Sequence, residues 1–416
     1  MSGQSPSPLL VVSTYYPPIL GGAETAASQL AEFLAARGHR VTVVTKRTSA
    51  DAPDREILNG VTVVRVGPAG PRMASGKWTF LPALFRELLQ RQAEYAAVIC
   101  VDFRAIGIAA QLARGRTGHP VILGAQTEGV ISIGGARERL RRVGIRIDAL
   151  IDALVWPLQR LYDGGDEYTC ISRAIEAETL KAGVPRNRVH YLPNPVDTRR
   201  FSPITVDERR ALRAAAGIPD DARVAVAVGR LSREKGQLDA LKAWALCRDV
   251  ARGLFVLVGP DMSGHPWDTG PEARAFVARE GLTDRVRFVG GVPAADVINW
   301  LRLADVAVQP SHFEAFGTAA IEAMAAGLPV IASDVGGLRD FVESGVNGLR
   351  VPSQQPQPLA EALTRVLTDD RLRATLAAGA AQTAPRFHVE VVLGEFERVI
   401  DGAISRRRQN CRRLTG

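Results

Sequence analysis

The sequence predicts an α/β protein built from two doubly wound, largely parallel sheets, each with its own core. Three observations lead there. Short β-branched runs such as Val41-Thr42-Val43-Val44 and Val224-Ala225-Val226-Ala227-Val228 alternate with helix-length stretches through both halves of the chain, the pattern of buried parallel strands covered by helices. At 416 residues the chain is too long for one ordinary core and suits two. The alternation loosens once, around Asn194-Pro195-Val196-Asp197 and Phe201-Ser202-Pro203, where a hinge between domains belongs.

The first half opens as strand, loop, helix, strand: Leu9 to Ser13, then Thr14 to Ala23 with its Gly21-Gly22 pair, then Glu24 to Arg37, then Arg40 to Thr45. Gly38 supplies the helix stop. Further strands are expected at Val61 to Val66, Ala97 to Val101, Pro120 to Ala125, Tyr168 to Ile171 and Val189 to Leu192. The second half restarts at Val224 to Val228 and continues with Leu254 to Val258, Val286 to Val289, Val306 to Gln309, Val330 to Ala332 and Leu349 to Val351, each followed by turn residues or a helix. Val389 to about Arg407 reads as a helix. Its Arg406-Arg407-Arg408 and Arg412-Arg413 cluster is most simply a basic tail, with contact to an anionic membrane as the second reading.

A hydrophobic fraction of 46% supports two full cores. No run of 18 apolar residues occurs, and Met1 to Pro8 has neither the charged start nor the apolar core of a signal peptide, so a cytoplasmic protein is expected. Cys100, Cys170, Cys247 and Cys411 lie far apart, which suggests neither a disulfide framework nor a zinc site. The net charge of +8 rests almost wholly on Arg, the lysines being Lys46, Lys77, Lys181, Lys235 and Lys242. Such a balance attracts nucleic acid, anionic lipid or phosphorylated ligands. No zinc-finger, helix-turn-helix or aromatic RNA-binding signature accompanies it, so nucleic acid is not an expected partner.

Three segments carry chemistry. Pro310 to Thr318 leads from a buried strand into a helix over Gly317 to Ala326, placing Glu314 in the loop and Glu322 about two turns deeper, inside the apolar run Ala319 to Ala326. Alone, either acid reads as a solvated surface charge, but an unpaired carboxylate in that apolar run is costly to bury. Small residues at Ala315, Gly317 and Ala319 admit a ligand close to the backbone, and the N–H groups at the helix start favour a diphosphate. Gly229 to Gly236 follows the first strand of the second half and lets Arg230 and Lys235 converge on one anion, with Glu234 too few in charge to neutralise Arg230, Arg233 and Lys235 together. Gly21-Gly22 before a helix is a backbone anion cradle or a plain turn.

With these residues in view, the chain resembles the retaining glycosyltransferases of family 4, whose two Rossmann-like domains face each other across a cleft in the architecture called GT-B. The resemblance covers nearly all of the chain, through Gly21-Gly22-Ala23-Glu24, Ile171-Ser172, Leu192 to Asp197 with Phe201 and Pro203, Gly229 to Gly236, Phe288-Val289-Gly290, and the paired glutamates Glu314 and Glu322. It implies an acceptor-binding domain over 1–200, a nucleotide-sugar-binding domain over 201–388, and a C-terminal helix and tail over 389–416 that crosses back to the first domain. Arg230 and Lys235 would hold the diphosphate. Glu322 would bind the ribose, Glu314 with the backbone of Ala315, Phe316 and Gly317 the donor sugar, Thr318 a phosphate, and Gly21 and Gly22 the phosphate from the first domain. Nucleobase contacts would fall on the backbone of Phe288 to Val292.

The family chemistry needs no metal or other cofactor, and no Asp-x-Asp pair or His cluster suits a divalent ion here: His39, His119, His190, His265, His312 and His388 are scattered. One departure is plain. Where many members carry a His after the strand ending at Ala125, this chain has Gln126-Thr127-Glu128, so Gln126 is the candidate sugar or acceptor contact by hydrogen bonding, with Glu128 a speculative second. The acceptor stays open between glycan, lipid-linked and small-molecule hydroxyls, as does the oligomeric state. Arg137, Arg139, Arg141, Arg142 and Arg146 precede an apolar helix at Ile147 to Leu161, read as a core helix with a basic flank before a membrane-surface element. Rival readings are a glycan phosphorylase or disaccharide synthase on the same fold, and a binding-only homologue without turnover.

Overall fold

The computed structural model describes residues 6–19, 21–70, 76–127, 162–248, 250 and 252–415. Glu128, the arginines between 137 and 146 and the expected helix at 147–161 fall outside them. The chain divides into two compact units, one comprising Met1–Pro195 with Glu390–Gly416 and the other Val196–Val389.

The first unit holds an eight-stranded sheet in the order β3-β4-β2-β1-β5-β6-β7-β8. Its strands are β1 (Pro8–Val12), β2 (Arg40–Lys46), β3 (Arg55–Leu58), β4 (Val61–Val66), β5 (Ala97–Cys100), β6 (Val121–Ala125), β7 (Glu167–Cys170) and β8 (Val189–Tyr191). Every pairing is parallel except the edge hairpin β3–β4. That hairpin was not among the expected strands. Arg55 to Leu58 is too short and too polar to register as a buried run; its signal is the turn Asn59-Gly60, where both residues take positive φ, 48° and 80°, as a tight two-residue hairpin requires.

Helix α1 (Gly22–Ala36) buries Ala27, Leu30, Ala31 and Leu34, a stripe at helical spacing, and α2 (Gly76–Gln90), α3 (Phe103–Thr117) and α4 (Arg173–Lys181) cover the sheet further along. The free thiols of Cys100 and Cys170 are buried in β5 and β7, where burial pushes both above their ordinary pKa.

The second unit starts with α5 (Val206–Ala215), whose N-terminus is closed by a reciprocal capping box between Thr205 and Glu208. Its six-stranded sheet is wholly parallel, in the order β11-β10-β9-β12-β13-β14. The strands are β9 (Arg223–Val228), β10 (Gly253–Val258), β11 (Val286–Gly290), β12 (Val306–Gln309), β13 (Val330–Ser333) and β14 (Gly348–Val351). Between them run α6 (Gln237–Leu246), α7 (Gly270–Arg279), α8 (Val297–Leu303), α9 (Thr318–Ala325), α10 (Pro356–Thr368) and α11 (Asp370–Thr383). Trp244 and Phe255, 5.5 Å apart, anchor a core of alanine, valine and leucine side chains from β9, β10, β12 and α10. The last helix, α12 (Val389–Thr415), belongs almost entirely to the first unit, with Val392, Leu393, Ile400, Ala403 and Ile404 buried. The expected α/β class with two doubly wound sheets is what the chain forms.

Candidate active site

In the second unit β9 is first in sequence yet lies in the middle of the sheet; the chain builds outward to β10 and β11, then returns to the other side as β12. The loops leaving β9 and β12 therefore diverge at the carboxyl ends of neighbouring strands, the place where open α/β sheets bind ligands. Gly229 to Gly236 is the loop after β9, and Pro310 to Gly317 is the loop after β12.

The β9 loop is held from three sides. Leu231 N–H donates to the Pro260 carbonyl at 3.0 Å and Arg233 N–H to the Trp267 carbonyl at 2.9 Å. From the start of α6, Gln237 Nε2 donates to the Arg230 carbonyl at 2.8 Å. A short 3-10 turn over Arg233–Lys235 then ends at Gly236, left-handed at φ 68°. A Cβ there would stand 1.9 Å from the Pro310 carbonyl oxygen, so the two loops touch where only glycine fits.

Across this contact, Lys235 Nζ donates to Glu314 Oε2 at 2.7 Å. Gln309 Nε2 and Ser311 Oγ donate to the same oxygen at 3.0 and 3.1 Å. Three donors saturate Oε2, whereas among the described residues none reaches Oε1. The Glu314 carbonyl accepts from Gly337 N–H at 2.9 Å, and the His312 N–H donates to the Glu234 carbonyl at 2.8 Å. His312 Nε2 meets Asp239 Oδ2 of α6 at 2.6 Å, a second tie between the loops. Arg230, about half exposed, donates to Glu234 at 3.1 Å.

Arg230 and Lys235 are both paired within the protein. Each has its own carboxylate, Glu234 for Arg230 and Glu314 for Lys235, because the β12 loop brings a second acid that the local segment lacks.

Gly317, at φ 105°, turns the chain into α9; a Cβ there would meet Leu338 Cδ2 at 2.5 Å. Thr318 is the first residue of α9, where a helix leaves its N–H groups without intrahelical acceptors. Phe316 is buried against Phe341 and Phe387, at 5.5 and 5.7 Å between ring centres, so its side chain fixes the loop and only its backbone is available beside Ala315. Glu322 projects from α9 between buried Ile321, Ala323 and Met324, partly buried itself and without a hydrogen-bond partner among the described residues. Burial pushes its carboxyl up to about 7, against the opposing charge of Arg200.

The remaining candidates lie in the first unit. Gly21 precedes α1 in extended backbone and its carbonyl accepts from Thr25 N–H at 2.9 Å; Gly22, exposed, has open space where a side chain would be. Gln126 follows β6 directly and is partly buried. Gln309, Ser311 and the His312–Asp239 pair were not legible as site residues: their spacing from Glu314 carries no signal until the loop folds back on α6. Among the described residues no group of three or more His, Cys, Asp and Glu is disposed to hold a metal ion, and no helix is long and apolar enough to cross a membrane.

Residues 208–383 match the family model described as glycosyl transferases group 1, and residues 20–200 match that of glycosyltransferase family 4. A D-inositol 3-phosphate glycosyltransferase of Jonesia denitrificans is 33% identical over 385 residues, 88% of each chain. One of the same description from Acidothermus cellulolyticus is 32% identical over 416 residues, covering 95% of this chain and 88% of its own. Among solved structures, sucrose-phosphate synthase from Thermosynechococcus elongatus superposes with a TM-score of 0.79 at 26% identity, over 96% of this chain and 99% of its own. Anabaena HepE in complex with UDP and glucose shares the fold at 22% identity, with a TM-score of 0.73 over 95% of this chain and 99% of its own. Relatives at such identity cover most of the chain, the group 1 match spans the segments that hold Arg230, Lys235, Glu314 and Glu322, and the chain belongs to the group 1 glycosyltransferases of family 4.

Proposed function

We propose that the protein transfers a sugar from a nucleoside diphosphate donor to an acceptor hydroxyl with retention of anomeric configuration and without a metal, and that the acceptor is a phosphorylated polyol of the kind named for its relatives. The observation that carries the proposal is the Lys235–Glu314 contact at the switch point, with Oε2 of Glu314 saturated, Oε1 left over, and Glu322 without a partner two turns along α9.

In this reading Oε1 of Glu314 takes a donor-sugar hydroxyl, the backbone from Ala315 to Gly317 lines the sugar, and Glu322 accepts the two ribose hydroxyls. Lys235 keeps donors beyond the one given to Glu314, and Arg230 keeps those not given to Glu234, so both turn to the diphosphate. The bond from the anomeric carbon to the phosphate oxygen breaks, and its electron pair stays on that oxygen. The acceptor oxygen bonds the anomeric carbon on the same face and passes its proton to the departing phosphate. Arg230, Lys235 and the Thr318 N–H stabilise the charge that develops there, an effect worth roughly several kcal/mol of barrier. Gly21 and Gly22 are proposed as backbone contacts to substrate phosphate and Gln126 as a hydrogen bond to a sugar hydroxyl, both from the first unit. The proposed location is the cytoplasm.

A thermal-shift panel of UDP, GDP, ADP and TDP and their sugars identifies the donor through stabilisation of the native state. Transfer to D-inositol 3-phosphate, followed by NMR of the product anomer and repeated with EDTA, tests acceptor, retention and metal independence. Lys235→Ala and Glu314→Gln are each expected to reduce transfer about 10²-fold or more with unchanged melting; wild-type rates in both defeat the assignment. Likeness to sucrose-phosphate synthase favours a second reading, a disaccharide-phosphate synthase, which the same product analysis separates.

A further inference from the structure

At the amino ends of β6, β7 and β8 the first unit holds a cavity of about 370 Å³. It is lined by Arg114 of α3, Asp166 and Glu167 at the start of β7, Arg188 just before β8, and Arg406 and Arg407 of α12. That volume lies in the range of small-molecule sites, roughly 300–1,000 Å³. Four guanidinium charges face two carboxylates there, so two positive charges stay without a neutralising partner in the cavity. Three of the arginines are held in place. Arg114 donates from Nε and Nη2 to the two oxygens of Asp166 at 2.7 and 2.8 Å, and Asp166 Oδ2 also accepts from the Val121 N–H at 2.9 Å. Arg406 pairs with Oε1 of the buried Glu167, whose Oε2 meets His190 Nε2 at 2.7 Å. Arg407 donates from Nε to the Gly118 carbonyl. The exposed Arg188 side chain makes no hydrogen bond or ion pair among the described residues.

Arginines that only tie α12 to the sheet would be matched by carboxylates. Here the ties leave Arg114 Nη1 and the terminal nitrogens of Arg407 without acceptors among the described residues, and Arg188 adds a charge that serves no tie. We infer that this cavity is a second ligand site, for inorganic phosphate or a phosphate monoester, with Arg188, Arg407 and Arg114 Nη1 as the donors and Asp166 and Glu167 aiming the arginines. The two surplus charges match the charge of about −1.5 to −2 that a phosphate monoester carries at neutral pH. Guanidinium forks suit its oxygens, and arginines already held lose little freedom on binding. Gln126 follows the opposite end of β6, a five-residue strand spanning roughly 16 Å, so one phosphate cannot touch both places. A free phosphorylated metabolite and the headgroup of phosphatidic acid present the same group.

Titration calorimetry with inorganic phosphate tests it, on wild type, Arg188→Gln, the Arg188→Gln/Arg407→Gln double variant, Lys235→Ala, and Arg248→Gln as an exposed arginine of the second unit. Wild type is expected to bind phosphate saturably, Arg188→Gln about tenfold more weakly, and the double variant not measurably, while Arg248→Gln and Lys235→Ala keep the wild-type affinity. Without phosphate, Arg188→Gln is expected to melt with wild type, since its side chain ties nothing; with phosphate it gains less. No saturable binding by wild type, equal affinity in Arg188→Gln, or a loss confined to Lys235→Ala overturns the site, the last by moving the phosphate to the candidate donor loops. Cosedimentation with phosphatidylcholine vesicles containing phosphatidic acid, absent for phosphatidylcholine alone and lost in the double variant, assigns the phosphate to a lipid headgroup. Phosphate binding without cosedimentation assigns it to a free ligand. Cosedimentation that the double variant keeps belongs to the rest of the basic tail and overturns the cavity as a headgroup site.

Discussion

Two glutamates eight residues apart occupy opposite environments. Glu314 is held by three donors on one oxygen, so its position is fixed before substrate arrives. Glu322 has no such partner, and burial among apolar neighbours raises its carboxyl from 4.5 to about 7. The sign of the consequence follows from linkage. Between these two values the folded state holds a proton that the unfolded chain releases, so stability falls as pH rises through that window and stays lower above it. The deficit is roughly 3 kcal/mol. Glu322→Gln removes it while keeping shape, and is expected to melt several degrees above wild type at pH 8 but together with it at pH 4.5, as scanning calorimetry reads directly. Its nucleotide affinity falls at the same time. A native carboxylate that destabilises its own fold is understandable where a ligand supplies the missing donors.

At the level of elements, the site depends on how closely two loops meet. The turn ending at Gly236 lies against the Pro310 carbonyl, and through that contact the Lys235 ammonium and the Glu314 carboxylate come within 2.7 Å. Gly236→Ala combines a strained positive φ with a clash against backbone that cannot rotate away. Gly217, at φ 62° with nothing near its missing Cβ, carries the strain alone. We expect Gly217→Ala to destabilise by about 1 kcal/mol and Gly236→Ala by roughly 3 kcal/mol or more, with loss of transfer only in the second. Equal denaturation midpoints for the two variants in urea exclude a role for the close approach. The His312–Asp239 pair reinforces the same junction from the first turn of α6.

For the whole molecule, α12 is the segment farthest in sequence from the unit it completes. Glu397 joins it to the N-terminal part of the chain, accepting from Arg37 at 3.2 Å and from His39 Nε2 at 3.0 Å, while Arg406 pairs with Glu167 of β7. Four buried aliphatic side chains, Val392, Leu393, Ile400 and Ile404, add roughly 6 kcal/mol or more, a sum comparable with the entire stability of a domain. Deletion of residues 389–416 is therefore expected to abolish the cooperative melting of the first unit. Removal of 411–416 alone, the end of the basic tail, is expected to leave it within about 2 °C of wild type, since a 1 kcal/mol change moves a unit of this size only a few degrees. A truncated 1–388 chain that still melts cooperatively in both units excludes the structural role of α12.

Local signals in the sequence were enough for the class of fold, the run of parallel strands and the positions of the two glutamates, because β-branched runs, helix stops and glycine turns act over a few residues at a time. The same locality explains what escaped it: a polar four-residue edge strand such as β3 carries no burial signal, and its turn Asn59-Gly60 is the only mark it leaves. It took the folded chain to show that Lys235 pairs with Glu314 and that Gln309 and Ser311 donate to the same oxygen of that acid. Lys235 and Glu314 are 79 positions apart along the chain, and what brings them together is the reversal of strand order between β9 and β12, a property of the assembled sheet that no local stretch of residues encodes.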